Sequence, residues 1–151
     1  MKILLREERV NPDQADNYGQ TPLMQAVCNG HEQVVKILLG REEVYPDKPD
    51  NYGQTPLFSA AREGHEGVVK ILLRREEVDP DRLDDYGQTP LSFAAMGGHE
   101  EVVKMLLAWK EVNPQNSDHE GQSPLMMAES YGHGRVITLL VQHAHQMQNP
   151  V

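Results

Sequence analysis

Asn17-Tyr-Gly-Gln-Thr-Pro-Leu23 recurs as Asn51-Tyr-Gly-Gln-Thr-Pro-Leu57, as Asp85-Tyr-Gly-Gln-Thr-Pro-Leu91, and in weaker form as His119-Glu-Gly-Gln-Ser-Pro-Leu125, each step being 34 residues. Self-similarity at that length marks a solenoid, in which each supersecondary module buries its apolar faces only against its neighbours. Units of 34 counted back from Val151 span 118–151, 84–117, 50–83 and 16–49, and leave 1–15 as a partial unit. Met1-Lys-Ile-Leu-Leu5 aligns with Val35-Lys-Ile-Leu-Leu39, so the opening reads as the outer helix of a module whose first part is absent, as in a fragment or a late start. Ile3, Leu4 and Leu5 then have no partner helix and are expected to fray first.

The unit 50–83 shows how one module is built. Asp50-Asn-Tyr-Gly-Gln is turn chemistry: Gly53 takes a positive backbone angle at no steric cost, and the Asp and Asn side chains bond nearby amides. Thr55-Pro56 starts a helix, with Thr as the N-cap and Pro at the first helical position. Leu57, Ala60 and Ala61 form an apolar stripe whose small members let a second helix approach closely. Gly64-His65 ends that helix. A second one spans Glu66 to Arg75 and buries Val68, Val69, Ile71, Leu72 and Leu73, and Pro80 leads into the next long turn. Glu66 and Lys70, like Glu32/Lys36 and Glu100/Lys104, stand four apart with the acid first, a pair that adds about 0.2–0.5 kcal/mol on an exposed helix face.

Taken together, Gly53-Gln-Thr-Pro-Leu57, Ala60-Ala61, Gly64-His65 and Val68-Val69-Lys70-Ile71-Leu72-Leu73 resemble the ankyrin repeat, and the likeness runs over nearly the whole chain. The resemblance implies an all-α solenoid of helix-turn-helix units with finger-like long turns and a concave face that binds other proteins. Two departures bear on this. Met24, Phe58, Ser92 and Met126 stand where the family carries a His after Thr-Pro-Leu, which calls the polar stitching made by that ring into question. The turns Val10-Asn-Pro-Asp13, Val44-Tyr-Pro-Asp47, Val78-Asp-Pro-Asp81 and Val112-Asn-Pro-Gln115 also differ from the family's finger sequence. Glu129 replaces Val27, Ala61 and Ala95, and the pattern dissolves after Val141, so 118–151 is expected to be a C-terminal capping repeat and a true end.

Charge and composition narrow the function classes. A net charge of −9 disfavours sequence-independent binding to nucleic acid or an anionic membrane, both of which need basic patches. The single cysteine, Cys28, forms no internal disulfide, which suits an intracellular and specifically cytoplasmic setting. No run is long enough to span a membrane. His31, His65, His99 and His133 recur at 34 residues. Rings on successive modules, about 10 Å apart, are too distant to share a zinc ion. Each reads instead as a turn residue bonding locally at a helix start. No zinc-protease helix, calcium loop, phosphate-binding glycine loop or nucleophile elbow occurs, so the chain reads as non-enzymatic, with no cofactor and no metal.

Mapped through the resemblance, the concave positions are Asn17, Tyr18, Gln20, Cys28 and Asn29; Asn51, Tyr52, Gln54, Arg62 and Glu63; Asp85, Tyr86, Gln88, Met96 and Gly97; and His119, Glu120, Gln122, Ser130 and Tyr131. Tyr18, Tyr52 and Tyr86 form a ladder suited to an interface, although an identical ring in three units also suits packing on the next finger. The invariant Gln20, Gln54, Gln88 and Gln122 read as structural. The pairs 28–29, 62–63, 96–97 and 130–131 vary and are the stronger candidates for recognition. Trp109, which replaces Arg41 and Arg75, reads as the cover of a helix end on the convex side. The expected function is a monomeric protein-interaction scaffold whose acidic turns, at Asp16, Asp47, Asp50, Asp81, Asp84, Asp85 and Asp118, favour a partner with a basic segment. The alternatives are a regulatory arm of a larger, nucleotide-binding protein and a consensus-like or recently duplicated array with no specific partner.

Overall fold

Four Thr-Pro or Ser-Pro starts and four Gly-His breaks divide the chain into four helix hairpins. The computed structural model describes residues 10–150, so the expected partial helix at Met1 to Leu5 lies outside the described residues. The first hairpin is α1 (Pro22–Cys28) and α2 (Glu32–Leu39), and the second is α3 (Pro56–Glu63) and α4 (Glu66–Leu73). The third is α5 (Pro90–Gly97) and α6 (Glu100–Leu107), and the fourth is α7 (Pro124–Ser130) and α8 (Gly134–Gln148). There is no strand among the described residues. Helices α1, α3, α5 and α7 pack in one row and α2, α4, α6 and α8 in a second, each row touching the other within its own hairpin. One continuous apolar core runs through the stack, with Leu23, Leu57 and Leu91 of the first row fully buried against Leu38, Leu72 and Leu106 of the second. Ala60, Ala61, Ala94 and Ala95 are completely buried between first-row helices. Their lack of bulk lets that row pack more closely than the second.

Helix starts follow the sequence, with one correction. Thr21 and Ser123 accept hydrogen bonds from the amides of Met24 and Met126, and Thr89 and Ser92 make a reciprocal capping box. Thr55 has the extended backbone of an N-cap, but its side chain caps nothing, and its Oγ1 is buried without a partner. The helix after Thr55 therefore starts on Pro56 and on packing rather than on the expected cap. The second helices also stop early: α4 ends at Leu73, two residues before Arg75, and Trp109 lies beyond the end of α6. The last helix does the reverse. It extends to 15 residues where α2, α4 and α6 have 8, so the sequence after Val141 leaves the repeat pattern without leaving the helix.

Helix ends carry the main finding. Each first-row helix closes on a left-handed glycine, such as Gly64 at φ 73°, and the amide of the following His reaches back to the helix, as His65 does to the Ala60 carbonyl at 3.0 Å. The His rings do not bond locally, as expected from sequence, but across units. His65 Nε2 donates to the Cys28 carbonyl at 3.0 Å, His99 to Arg62 at 2.8 Å and His133 to Met96 at 2.8 Å. Those carbonyls belong to the last turns of the preceding first-row helices, which have no intrahelical partner of their own. Each ring also lies directly over the preceding unit's glycine: a Cβ at Gly30 would fall 2.9 Å from the His65 ring. Glycine is thus required twice at this position, for its backbone angle and for the space the ring fills.

Apolar packing replaces polar stitching at the position after Thr-Pro-Leu. Met24 and Phe58 are both 1% exposed, and Phe58 meets Phe93 of the next unit edge to face, with ring centroids 5.6 Å apart. Ser92 is buried in its capping box. Met126 is 52% exposed. The expected Glu–Lys pairs at four residues do not form: Lys104 bonds Glu101 instead, at 2.6 Å, and Glu100 pairs with Arg135 at 3.6 Å. Lys36 and Lys70 make no ion pair among the described residues, because exposed long side chains gain little from adopting one geometry.

Equivalent positions should therefore differ sharply in cost. Phe58→Ala is expected to destabilise the array by about 3–5 kcal/mol, whereas Met126→Ala should stay within about 0.5 kcal/mol of the parent. Urea denaturation followed by circular dichroism measures both, and equal losses would contradict the covered and uncovered environments.

Candidate functional site

Within each long turn one carboxylate organises the backbone. Asp50 Oδ1 accepts hydrogen bonds from the Tyr52 and Gln54 amides at 2.8 and 3.0 Å, and Asp16, Asp84 and Asp118 repeat this arrangement. Successive turns are then tied together through the tyrosines. The Tyr18 carbonyl accepts from the Asn51 amide, Tyr52 from Asp85 and Tyr86 from His119, all at 3.0 Å. Gln54 and Gln88 reach the other carboxylate oxygen of Asp84 and Asp118, as expected of structural glutamines.

With the backbone so occupied, the tyrosine rings are left outside. Tyr18, Tyr52 and Tyr86 are 65%, 49% and 54% exposed, so the ladder is open to solvent rather than covered by the next finger. Asp85 is likewise exposed, with its carboxylate against Gly53.

The varied pairs lie at the C-terminal ends of α1, α3, α5 and α7. Cys28 and Met96 are half-buried, and Asn29, Arg62, Glu63, Ser130 and Tyr131 are exposed. The backbones of Cys28, Arg62 and Met96 are those held by the histidines of the following units. Their immediate contacts differ from unit to unit. Asn29 Nδ2 donates to the Gln25 carbonyl at 2.7 Å, Arg62 and Glu63 pair with each other at 3.0 Å, and Tyr131 stacks on His133 of its own unit at 6.4 Å. Trp109 stands apart from this side and is 41% exposed.

Sequence reasoning missed a second carboxylate ladder, formed by the Pro-Asp dipeptides. Lys48 Nζ donates to the Asp13 carboxylate and carbonyl, both at 2.9 Å, and Arg82 repeats this on Asp47 at 3.2 and 3.3 Å. At the third rung the cation is replaced by Asn116, which donates to Asp81 Oδ2 at 2.9 Å beside the Asn113 amide at 3.1 Å. The only sequence signal was the 34-residue recurrence of Asp13, Asp47 and Asp81. Much of the acidity expected to face a partner is thus consumed by the turns themselves.

The family model for ankyrin repeats (3 copies) matches residues 1–84 and again 67–150. Such repeats are generally protein–protein interaction modules and generally non-catalytic. No curated protein matches the chain. No helix among the described residues is long and apolar enough to cross a membrane.

The Pro-Asp ladder makes stability depend on pH. Asp13, Asp47 and Asp81 each have one buried oxygen, Oδ1, without a hydrogen-bond partner. Burial pushes the Asp47 carboxyl above its ordinary value against the pull of Arg82. It does the same at Asp81 against the Asn113 amide, with the charge of Asp79 adding to the rise. A carboxyl whose pKa is raised by folding binds protons more tightly in the folded state, so its contribution to stability falls as pH climbs from the ordinary carboxylate value through the raised one. Asp81→Asn keeps an acceptor for both donors and removes the charge. Its stability relative to the parent should be higher at neutral pH, by less than about 1 kcal/mol, with the difference closing in acid. Urea midpoints taken across this range test it, and a difference independent of pH would refute it.

Proposed function

Because this chain belongs to the ankyrin-repeat family, we propose that it is a non-catalytic scaffold that holds a protein partner against the side built from the first-row helices and the long turns. The observation that carries this reading is the pairing of clamped backbone with free side chains at the ends of α1, α3, α5 and α7. Cys28, Arg62 and Met96 are fixed in register by the histidines, while the side chains around them differ in every unit. Closer packing of the first row than of the second bends a stack toward the first row, which supports a concave surface on this side.

Tyr18, Tyr52 and Tyr86 supply the rigid apolar contacts, and Cys28, Asn29, Arg62, Glu63, Asp85, Met96, Ser130 and Tyr131 supply the discrimination. A large ring with a polar tip loses little entropy on binding, which makes tyrosine an economical anchor. The net charge of −9 favours a partner carrying a basic segment and disfavours self-association, so the working form is a monomer in an intracellular, cytoplasmic setting. Residues 118–151 have the character of a capping repeat, since Glu129 puts a charge where Val27, Ala61 and Ala95 are apolar and buried.

Affinity purification with the intact chain, followed by single substitutions, tests the assignment. Tyr52→Ala and Met96→Ala are each expected to weaken capture of the partner by about 1–2 kcal/mol, and Arg62→Ala by a similar amount. Binding of a basic partner should also weaken as salt is raised. Retention of the partner by all three variants would remove this face from the function.

A further inference from the structure

The groove between the C-terminal ends of α2 and α4 is distinct in charge from the rest of this acidic molecule. It has a volume of about 330 Å³ and is lined by Lys36, Leu39, Gly40, Ile71, Arg74 and Arg75, with no carboxylate among them. Its floor is aliphatic and its rim cationic. Gly40 stands where the next unit has Arg74, so the missing side chain leaves the floor open at one end.

Two of the three cations around it have no partner among the described residues. Neither Lys36 nor Arg74 makes an ion pair or a side-chain hydrogen bond among the described residues. Arg75 Nε has no hydrogen-bond partner but forms a long ion pair with Glu77 Oε2 at 3.9 Å. Between α6 and α8 the groove lies one turn nearer the helix starts and is lined by Glu100, Lys104, Arg135, Thr138 and Leu139; at that level of the α2/α4 pair the carboxylate of Glu32 lies over Gly67. In the α6/α8 groove both cations are neutralised, Lys104 by Glu101 and Arg135 by Glu100. The difference has a local cause: Gln33 occupies in α2 the place that Glu101 occupies in α6, so the carboxylate that draws Lys104 aside has no counterpart beside Lys36. The helix C-termini offset part of the positive charge, each with about half an elementary charge of opposite sign, and leave a net excess.

We propose that this groove is a second docking surface, which takes an acidic peptide segment with an aliphatic side chain seated on Leu39 and Ile71 and flanking carboxylates on Lys36, Arg74 and Arg75. The guanidinium groups suit carboxylates because each can donate two parallel hydrogen bonds. The surface lies on the second row of helices and selects the opposite charge to the first-row face. The two can therefore be occupied together, and either can fail without the other.

The test uses the intact chain and a fluorescein-labelled synthetic peptide of glutamates around a central leucine, read by fluorescence anisotropy. Saturable binding that weakens as salt rises is expected. Lys36→Glu combined with Arg74→Glu should reduce the affinity by about tenfold or more, while Arg62→Ala with Glu63→Ala should leave it unchanged. Lys36 and Arg74 are exposed, and an unchanged melting curve will show that the double variant is folded. A peptide with lysine in place of glutamate should not bind. Absence of saturable binding would overturn the proposal. So would indifference to the charge reversal, loss on Lys104→Glu instead, or binding to vesicles of anionic lipid in preference to the peptide.

Discussion

The contact on which this array depends is a histidine ring laid over a neighbouring unit's glycine. It solves two problems at one place. A first-row helix of seven or eight residues leaves a large fraction of its carbonyls without intrahelical partners, so an unsatisfied end is a serious defect for it. The ring of the following unit supplies Nε2–H to such a carbonyl and at the same time covers the left-handed glycine that ends the helix. Every unit therefore completes its predecessor. A single module lacks both the donor for its own carbonyl and the cover for its core, which is the physical content of nearest-neighbour stability in a repeat protein.

This arrangement explains why the position after Thr-Pro-Leu can be apolar. In the described stack the polar link between units comes from Gly-His at the other end of the helix and from the backbone of the tyrosine turns. Phe58 can then pack on Phe93 of the next unit, as Met24 fills the same place in the first.

The period, the helix starts and the helix stops were legible in the residues because each is local. Thr-Pro sets an entry, Gly-His sets an exit, and the alanine stripe sets which face is buried. The partners of the same residues were not legible. A histidine at a helix start looks the same whether it bonds its own turn or a carbonyl 37 residues earlier, and in an exact repeat both readings have the same spacing. The Pro-Asp ladder was hidden for a similar reason, since Asp47 and Arg82 come together only when one long turn lies on the next. Exposed glutamate–lysine pairs failed from the opposite direction. Their spacing was correct, but the energy at stake is too small to hold long side chains against competing neighbours. Of the candidate site, sequence located the variable pairs and the tyrosines but left the rings' surroundings open, because burial in a stack is decided by the adjacent unit.

The same logic accounts for where variation is tolerated. At the ends of the first-row helices the carbonyl is fixed by the next histidine, so the backbone there does not depend on which side chain it carries. Cys28, Arg62 and Met96 can differ freely while projecting from equivalent points. The invariant residues nearby, Asp50 and its counterparts with Gln54 and Gln88, cannot, because their side chains are the hydrogen-bond partners of the turns. A surface built this way separates support from selection. Its ordering cost is met on folding, and binding need restrict only a few side chains rather than a loop. The pairs at 28–29, 62–63 and 96–97 are thus the positions where substitution would cost the array least.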